Sequence, residues 1–298
     1  MHGRSAPQTQ AAGNTPHPAR KPRIGLALGG GAARGLAHIL VFEAFEELGL
    51  RPDLIAGTSI GALFGAAFAA GMSAAQIRAH TEETLTNRFD LLGQLFSARA
   101  EPIQKLFRIF PLRSALLDAD AILDVVLPAS VPETFEALQI PLQIVATDIG
   151  MRDSVVFNSG QLKPAIAASI AIPIVFAPVS RDNRTLADGG LTNPLPYDLL
   201  AGSCDIVVAI DVSGAASEAS IGPNPGITTM VTQSIQILQK RIIRERLEHN
   251  RPDIYIDVDL DRFGAYQFHK VTEILTAALP AKQELKARLA RVVASHPA

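Results

Sequence analysis

The stretch Arg23–Gly61, RIGLALGGGAARGLAHILVFEAFEELGLRPDLIAGTSIG, decides the fold class. Arg23 to Leu28 is a short apolar run with β character, and it enters Gly29-Gly30-Gly31 without a break. After Gly35, Leu36, Ile39, Leu40, Phe42, Phe45 and Leu48 recur at helical spacing and share one broad apolar face, which Gly49 closes. Asp53 to Ala56 is a second strand. A sharp turn at Gly57-Thr58-Ser59-Ile60-Gly61 follows, and then an apolar helix through Ala70. Strand, glycine turn, helix and strand in this order make a βαβ unit, which requires a parallel pair.

The pattern continues outward. Ser73 reads as the N-cap of AAQIRAHTEETL, and Asp118 or Asp120 opens a helix to Leu127. Leu142–Ile149 is a buried strand, Val155–Phe157 returns antiparallel, and Leu162–Ala171 is a helix ended by Pro173. Thr185–Gly190 is a short strand entering a turn, and Asp205–Val212 is another buried strand. Gly214–Gly226 has the composition of a mobile loop. A long helix from about Ile227 to His249, a last strand at Asp253–Asp259 and two C-terminal helices complete the pattern. The expected architecture is α/β, with a mostly parallel central sheet between helices. Residues 1–20, polar and carrying three prolines, read as a disordered leader without the apolar run of a signal peptide. Residues 21–298 then form one domain, with a helical insertion at about 87–130 and C-terminal helices over about 227–298.

Composition narrows the function. With 48% apolar and 19% charged residues, the chain has material for a large core. A net charge of -2 argues against a generally basic nucleic-acid binder. The single cysteine, Cys204, excludes an intrachain disulfide framework and a Cys-rich zinc site, and reads as a small buried residue. The apolar stretch Leu54–Met72 is interrupted by glycines and follows a turn, so it reads as a buried helix and not a membrane span. A cytoplasmic location is the default expectation.

Three segments carry chemistry. Gly57-Thr58-Ser59-Ile60-Gly61 places a serine between a strand and a helix, where flanking glycines permit close backbone approach and the helix start favours an oxyanion. Gly29-Gly30-Gly31-Ala32-Ala33-Arg34-Gly35 admits three readings. A dinucleotide fingerprint fails because Arg34 stands at the third glycine position, or Ala32 at the middle one. A P-loop fails for want of Gly-Lys-Ser/Thr. Backbone N–H groups at a helix start that bind a developing negative oxygen remain. Asp188-Gly189-Gly190 holds an aspartate in a tight turn, which taken alone is a common turn motif. His2, His17, His38, His80, His249, His269 and His296 all lie outside a post-strand turn, where a triad histidine usually sits. The alternative is a Ser-Asp dyad, which needs a partly desolvated aspartate of raised basicity.

LGGGAARG, GTSIG and DGG in this order resemble patatin-like phospholipases, especially bacterial members. The resemblance runs from about Arg23 through Asp211 and extends to ATD (146–148), SGQLKPAIAASIAIP (159–173), DGGLTNPLP (188–196), QILQKRIIRERL and DLDRFGAYQFH. It implies a three-layer α/β/α sandwich related to that of cytosolic phospholipase A2. It implies Ser59 as nucleophile and Asp188 as base, with Gly189 and Gly190 completing the aspartate's motif. It also implies an oxyanion loop of Gly29, Gly30, Gly31, Ala32, Arg34 and Gly35, in which amides around Gly30, Gly31 and Ala32 donate and Arg34 holds the loop. No metal or other cofactor is needed for a dyad. Many members carry glycine at position 32, where alanine can still donate its N–H if φ is negative. A glycine also often stands at position 174, and Ile174 is expected to tighten the acyl pocket.

The implied activity is hydrolysis of a phospholipid or other fatty-acyl ester through an acyl-Ser59 intermediate. An acyltransferase, a thioesterase or a non-catalytic lipid-binding protein would use the same fold. Contact with a membrane surface is expected to run through the Phe- and Leu-rich stretch between Phe89 and Phe110, whereas Lys240, Arg241, Arg244 and Arg246 read as a solvated helix face. The sequence leaves the oligomeric state open.

Overall fold

The computed structural model describes residues 21–87, 117–214 and 226–296. The leader, the Phe89–Phe110 stretch and most of the Gly214–Gly226 loop lie outside the described residues.

Apolar runs of five to seven residues make strands buried on both faces: β1 (Ile24–Leu28), β2 (Leu54–Thr58), β3 (Leu142–Asp148) and β7 (Ile206–Asp211). With β4 (Asp153–Phe157), β5 (Val179–Arg181), β6 (Arg184–Asp188) and β8 (Ile254–Asp257) they form one eight-stranded sheet. Hydrogen-bonded neighbours follow one another as β5-β6-β3-β2-β1-β7-β8, with β4 also paired to β3. β3, β2, β1, β7 and β8 are mutually parallel; β4 and β6 run antiparallel to β3, and β5 runs antiparallel to β6. The mostly parallel sheet expected from the sequence is thus present, with helices on both sides.

One detail of register positions the site. β2 and β4 both pair with residues 144 and 145 of β3, so they lie on opposite edges of it. β4 and β6 both pair with residues 146–148, so they too lie on opposite edges. β2 and β6 therefore share one edge of β3, one after the other. Because β6 runs antiparallel, the two strands meet end to end: Thr58 pairs with Val145 and Asp188 with Ala146. The residues that leave these two strand ends are brought together by the ladder itself.

A 3-10 turn (Ala32–Ala37) leads into α1 (His38–Glu47), and α2 (Ile60–Ala69) follows the β2 turn directly. α3 (Ala74–Asn87) opens with a reciprocal cap, in which Ser73 Oγ accepts from Gln76 N and Gln76 Oε1 from Ser73 N. α4 (Ala119–Val126) is capped by Asp118, and α5 (Leu162–Ile170) crosses behind β3 and β6. α6 (Ile227–His249) spans the predicted long helix. The main core packs α1, α2, α3 and α5 against one face of the sheet, with Phe42 stacked on Phe68. The two expected C-terminal helices are one, α7 (Val271–Ala294), which continues through Pro280. Its buried stripe of Ile274, Leu275, Ala278, Leu285 and Leu289 runs on both sides of the proline. Lys282 is tied to Glu43 and Glu47 just beyond it, so packing outweighs the one backbone bond that proline removes.

Candidate active site

Ser59 is the N-cap of α2, with φ 55° and ψ -124°. That left-handed conformation is strained for a side-chain-bearing residue, at a cost of about 1–3 kcal/mol. The surroundings enforce it. A Cβ on Gly61 would stand 2.2 Å from the Leu28 carbonyl oxygen, so α2 starts hard against β1. A Cβ on Gly189 would stand 2.2 Å from the Val145 carbonyl oxygen, which lets the β6 turn close over β3. The Ser59 N–H donates to Ser169 Oγ at 2.8 Å, and Ser169 in turn donates to Val145 O at 2.6 Å.

At the junction of β2 and β6, Ser59 Oγ donates to Asp188 Oδ2 at 2.5 Å. The other carboxylate oxygen accepts from Gly190 N at 2.7 Å. The backbone of Asp188 is held as well: its N–H donates to Ala171 O, and its carbonyl accepts from Thr147 Oγ1, both at 2.9 Å. Thr58 Oγ1 donates to Asn193 O at 2.8 Å, so the two turns are stitched side by side. Ser59 and Asp188 are 6% and 3% exposed. Burial raises the Asp188 pKa to about 6, against the opposing pull of the Ser59 and Gly190 hydrogen bonds. A carboxylate of that basicity at hydrogen-bond distance can accept a serine proton near neutral pH.

The glycine loop lies beside this pair. The N–H of Gly29 donates to Ile210 O, that of Gly30 to Pro194 O, that of Ala33 to Ala265 O and that of Arg34 to Gly31 O. Gly30 is therefore not available as a donor, contrary to its expected role. The amides of Gly31 and Ala32 have no such bond among the described residues, and both residues line the cavity at Ser59. Ala32 has φ 49°, so the negative φ on which its donation is conditional is not met; it takes the left-handed form that glycine adopts without cost, and its N–H keeps no backbone acceptor there among the described residues. Gly35 is a packing position and faces Ile60, whose Cγ2 would stand 2.2 Å from an added Cβ. Arg34 is buried, with its Nε 3.5 Å from Gly31 O and its guanidinium against Gly214. Burial lowers its pKa against the pull of Asp211 and Asp261.

Four of the described histidines are engaged by backbone carbonyls. The ring nitrogens of His80, His249 and His296 meet the carbonyls of Val126, Glu245 and Val292. His38, fully buried, donates from Nε2 to Gly29 O at 2.9 Å and so fixes the start of the loop. Burial holds its pKa at about 4, so at neutral pH it is an uncharged strut.

Two spaces open from Ser59. One is an apolar chamber of ≈ 200 Å³ running between α2, α3 and α4, past Leu63, Phe64, Ile77, Ile122 and Val175. The other, ≈ 40 Å³, lies beneath α6 and is edged by Thr232, Gln236 and Gln239 with Pro173 and Leu191. Tyr266 borders both, and burial raises its hydroxyl pKa to about 12. Ile174 does not line the apolar chamber as expected; its neighbours Ile172 and Val175 do, while Ile174 has φ 73° and is 44% exposed. Among the described residues no group of three or more histidine, cysteine, aspartate or glutamate side chains could hold a metal ion.

Ser169, Thr147, Asn193 and Tyr266 were not among the candidates read from sequence. Each acts through a contact between distant segments, and only the family phrases containing them pointed their way.

The patatin-like phospholipase pattern matches residues 26–201, which span the glycine loop, Ser59 and Asp188. This chain belongs to the patatin-like phospholipase family. An uncharacterized NTE family protein of Mycobacterium tuberculosis is 40% identical over 210 residues, 70% of this chain and 54% of that protein. Patatin-like phospholipase domain-containing protein 7 of the rat is 31% identical over 201 residues, 66% of this chain and 14% of that protein. The chain thus spans about half the length of the mycobacterial relative and a small part of the mammalian one. Among solved structures, VipD from Legionella pneumophila aligns over 90% of this chain and 67% of its own, with 14% identity and a TM-score of 0.47. The patatin-like architecture observed here is the one that the family resemblance implied.

Proposed function

We propose that this patatin-like protein is a serine acyl hydrolase of lipid esters in which Ser59 and Asp188 act as a dyad. The observation that carries the reading is the Ser59 Oγ–Asp188 Oδ2 hydrogen bond at the mouth of an apolar chamber. Asp188 takes the Oγ proton as Oγ bonds to the acyl carbon. The carbonyl electrons move to the oxygen, where the Gly31 and Ala32 amides stabilise them; one such donor is typically worth about 2.7–4 kcal/mol. Collapse of the tetrahedral adduct breaks the ester C–O bond, and Asp188 returns the proton to the leaving alcohol. Water then attacks the acyl-Ser59 ester, Asp188 takes its proton, and the proton ends on Ser59 as the carboxylic acid departs.

The two spaces divide the substrate. An acyl chain fits the apolar chamber, and the leaving alcohol faces the neutral hydroxyl and amide groups of Thr232, Gln236 and Gln239. Treatment with a fluorophosphonate should label wild-type protein at Ser59 and abolish hydrolysis of a p-nitrophenyl acyl ester. A Ser59→Ala protein that still turns over this ester would overturn the assignment.

A further inference from the structure

Among the described residues, most exposed large apolar side chains gather at the end of the sheet that carries Ser59 or on α6. Ile149 (45%) and Met151 (77%) form the β3–β4 turn, three residues beyond the level at which β2 delivers Ser59. Ile174 (44%) follows Pro173 at the mouth. Met230 (50%), Ile237 (58%) and Leu238 (61%) belong to α6. At 100° per residue these three fall opposite Thr232, Ile235, Gln236 and Gln239, which line the site. α6 is thus a two-faced helix, with one face closing the leaving-group side and the other showing apolar residues outward. Exposed Arg241 and Arg244 continue the outer face, with Glu245 and Glu248 one turn farther on. Arg152 flanks Met151 with Asp153 beside it.

We infer that this end of the sheet docks on an anionic lipid surface through the outer face of α6 and the β3–β4 turn. Apolar side chains that stand singly are ordinary, but six at the end of a sheet where an apolar chamber opens form an interaction surface. A helix with an apolar half followed by arginines suits a bilayer: the apolar half enters the headgroup layer and the guanidiniums reach lipid phosphates. The inference rests on the proposed acyl hydrolase for its choice of a lipid surface over a protein one. It stands beside the contact expected of the Phe89–Phe110 stretch, which lies outside the described residues, and it takes in Arg241 and Arg244, two of the four basic residues read from sequence as a solvated face.

The chain has no tryptophan, so a single introduced one reports on its own position. In a Ser59→Ala background, which spares the vesicles, Leu238→Trp should shift its emission to the blue with phosphatidylcholine–phosphatidylserine vesicles. Leu279→Trp, on α7 and 45% exposed, should not. Arg241→Glu with Arg244→Glu should weaken binding to the mixed vesicles by about tenfold or more, and binding to pure phosphatidylcholine little. With Ser59 intact, Ile237→Asp with Leu238→Asp should abolish sedimentation with vesicles and leave hydrolysis of a soluble short-chain ester within about twofold. Unchanged emission of Leu238→Trp at lipid excess would overturn the inference. So would an equal shift in Leu279→Trp, or a shift that appears on concentrating the protein without lipid, which would mean a second copy covers the face. Failure of the hydrolase reading would show separately, as vesicle binding by a wild-type protein that cleaves no ester.

Discussion

Two aspartates end strands of the same sheet, and both are buried, yet they are opposite in character. Asp211, at the end of β7, accepts from Lys240 Nζ at 2.9 Å, Tyr255 OH at 2.8 Å and Ser213 N at 2.8 Å. Burial pushes its pKa up, but Lys240 and the Ser213 hydrogen bonds outweigh that and hold it below the ordinary value. Asp188, at the end of β6, has two neutral donors, Ser59 and Gly190. There burial wins and the pKa stands near 6. A cation within reach turns one buried carboxylate into a structural ion; a hydroxyl in that place leaves the other a base. The same division extends around them. The left-handed Ser59, Ala32 and Ile174 all lie around the Asp188 site, while the Asp211 network couples through Arg34 and His38 to the floor of the glycine loop.

The largest expected difference between the two is in turnover. Asp188→Asn keeps the shape and removes the base, and should lower kcat by about 10⁴-fold, the order seen when a catalytic carboxylate is neutralised. Asp211→Ala should act on stability instead. It leaves Lys240 with only the half-exposed Asp257, and breaking a buried pair from one side costs about 3–5 kcal/mol. Denaturant unfolding measures that loss, and activity should then track the folded fraction. A folded but inactive Asp211→Ala protein would dissolve the distinction and move Asp211 into the site.

The pH dependence sharpens the comparison. For turnover Asp188 must be ionised, so kcat/KM should fall as the pH drops through about 6. For stability the sign is reversed. Its folded pKa lies above the ordinary 3.8, so the native state holds the proton more tightly than the unfolded one. That contribution is complete below 3.8 and is lost as the pH rises through about 6. At pH 8 the ionised, unneutralised carboxylate costs about 3 kcal/mol at 1.36 kcal/mol per unit. Asp188→Asn should therefore be inactive yet more stable than wild type at pH 8, by up to about that amount, with the gap closing toward pH 4. Paired thermal melts across this range check it. Equal stability at pH 8 would mean that Asp188 is compensated as Asp211 is.

Much of this was legible in the sequence because it is local. Five-residue apolar runs bounded by glycine turns marked β1 and β2, and Ser73 and Asp118 announced their helices as caps. The three motifs announced Ser59, Asp188 and the loop. What was hidden depends on register. No local feature of RTLAD says that it runs against β3 and meets LIAGT end to end, which is the geometry that joins Asp188 to Ser59. Ser169 supports Ser59 across 110 residues, and the Pro194 carbonyl removes Gly30 from the donor set across 164. That the C-terminal segment is one helix through Pro280 was hidden as well, because its apolar stripe is stabilised only where it packs on α1 and β8.

The smallest expected effect asks whether strain beside Asp188 serves the chemistry or is only tolerated. Ile174 adopts φ 73°, a left-handed conformation that costs an ordinary side chain about 1–2 kcal/mol, and more for a β-branched one. Its side chain is 44% exposed and lines neither space at Ser59, so little burial offsets that cost. Ile174→Gly should relieve the strain and lose about 0.5–1 kcal/mol to the greater freedom of the unfolded chain. A net gain near 1 kcal/mol is expected, roughly 2–4 °C in melting temperature for a domain of this size. Ile174→Ala, which keeps a Cβ, should recover only part of it. If Ile174→Gly gains stability and keeps kcat, the strain at this corner is incidental, and the strain that matters is confined to Ser59. If kcat falls with the gain in stability, Ile174 holds Pro173 at the mouth, and the uncompensated region around Asp188 extends one loop farther than the hydrogen bonds alone indicate.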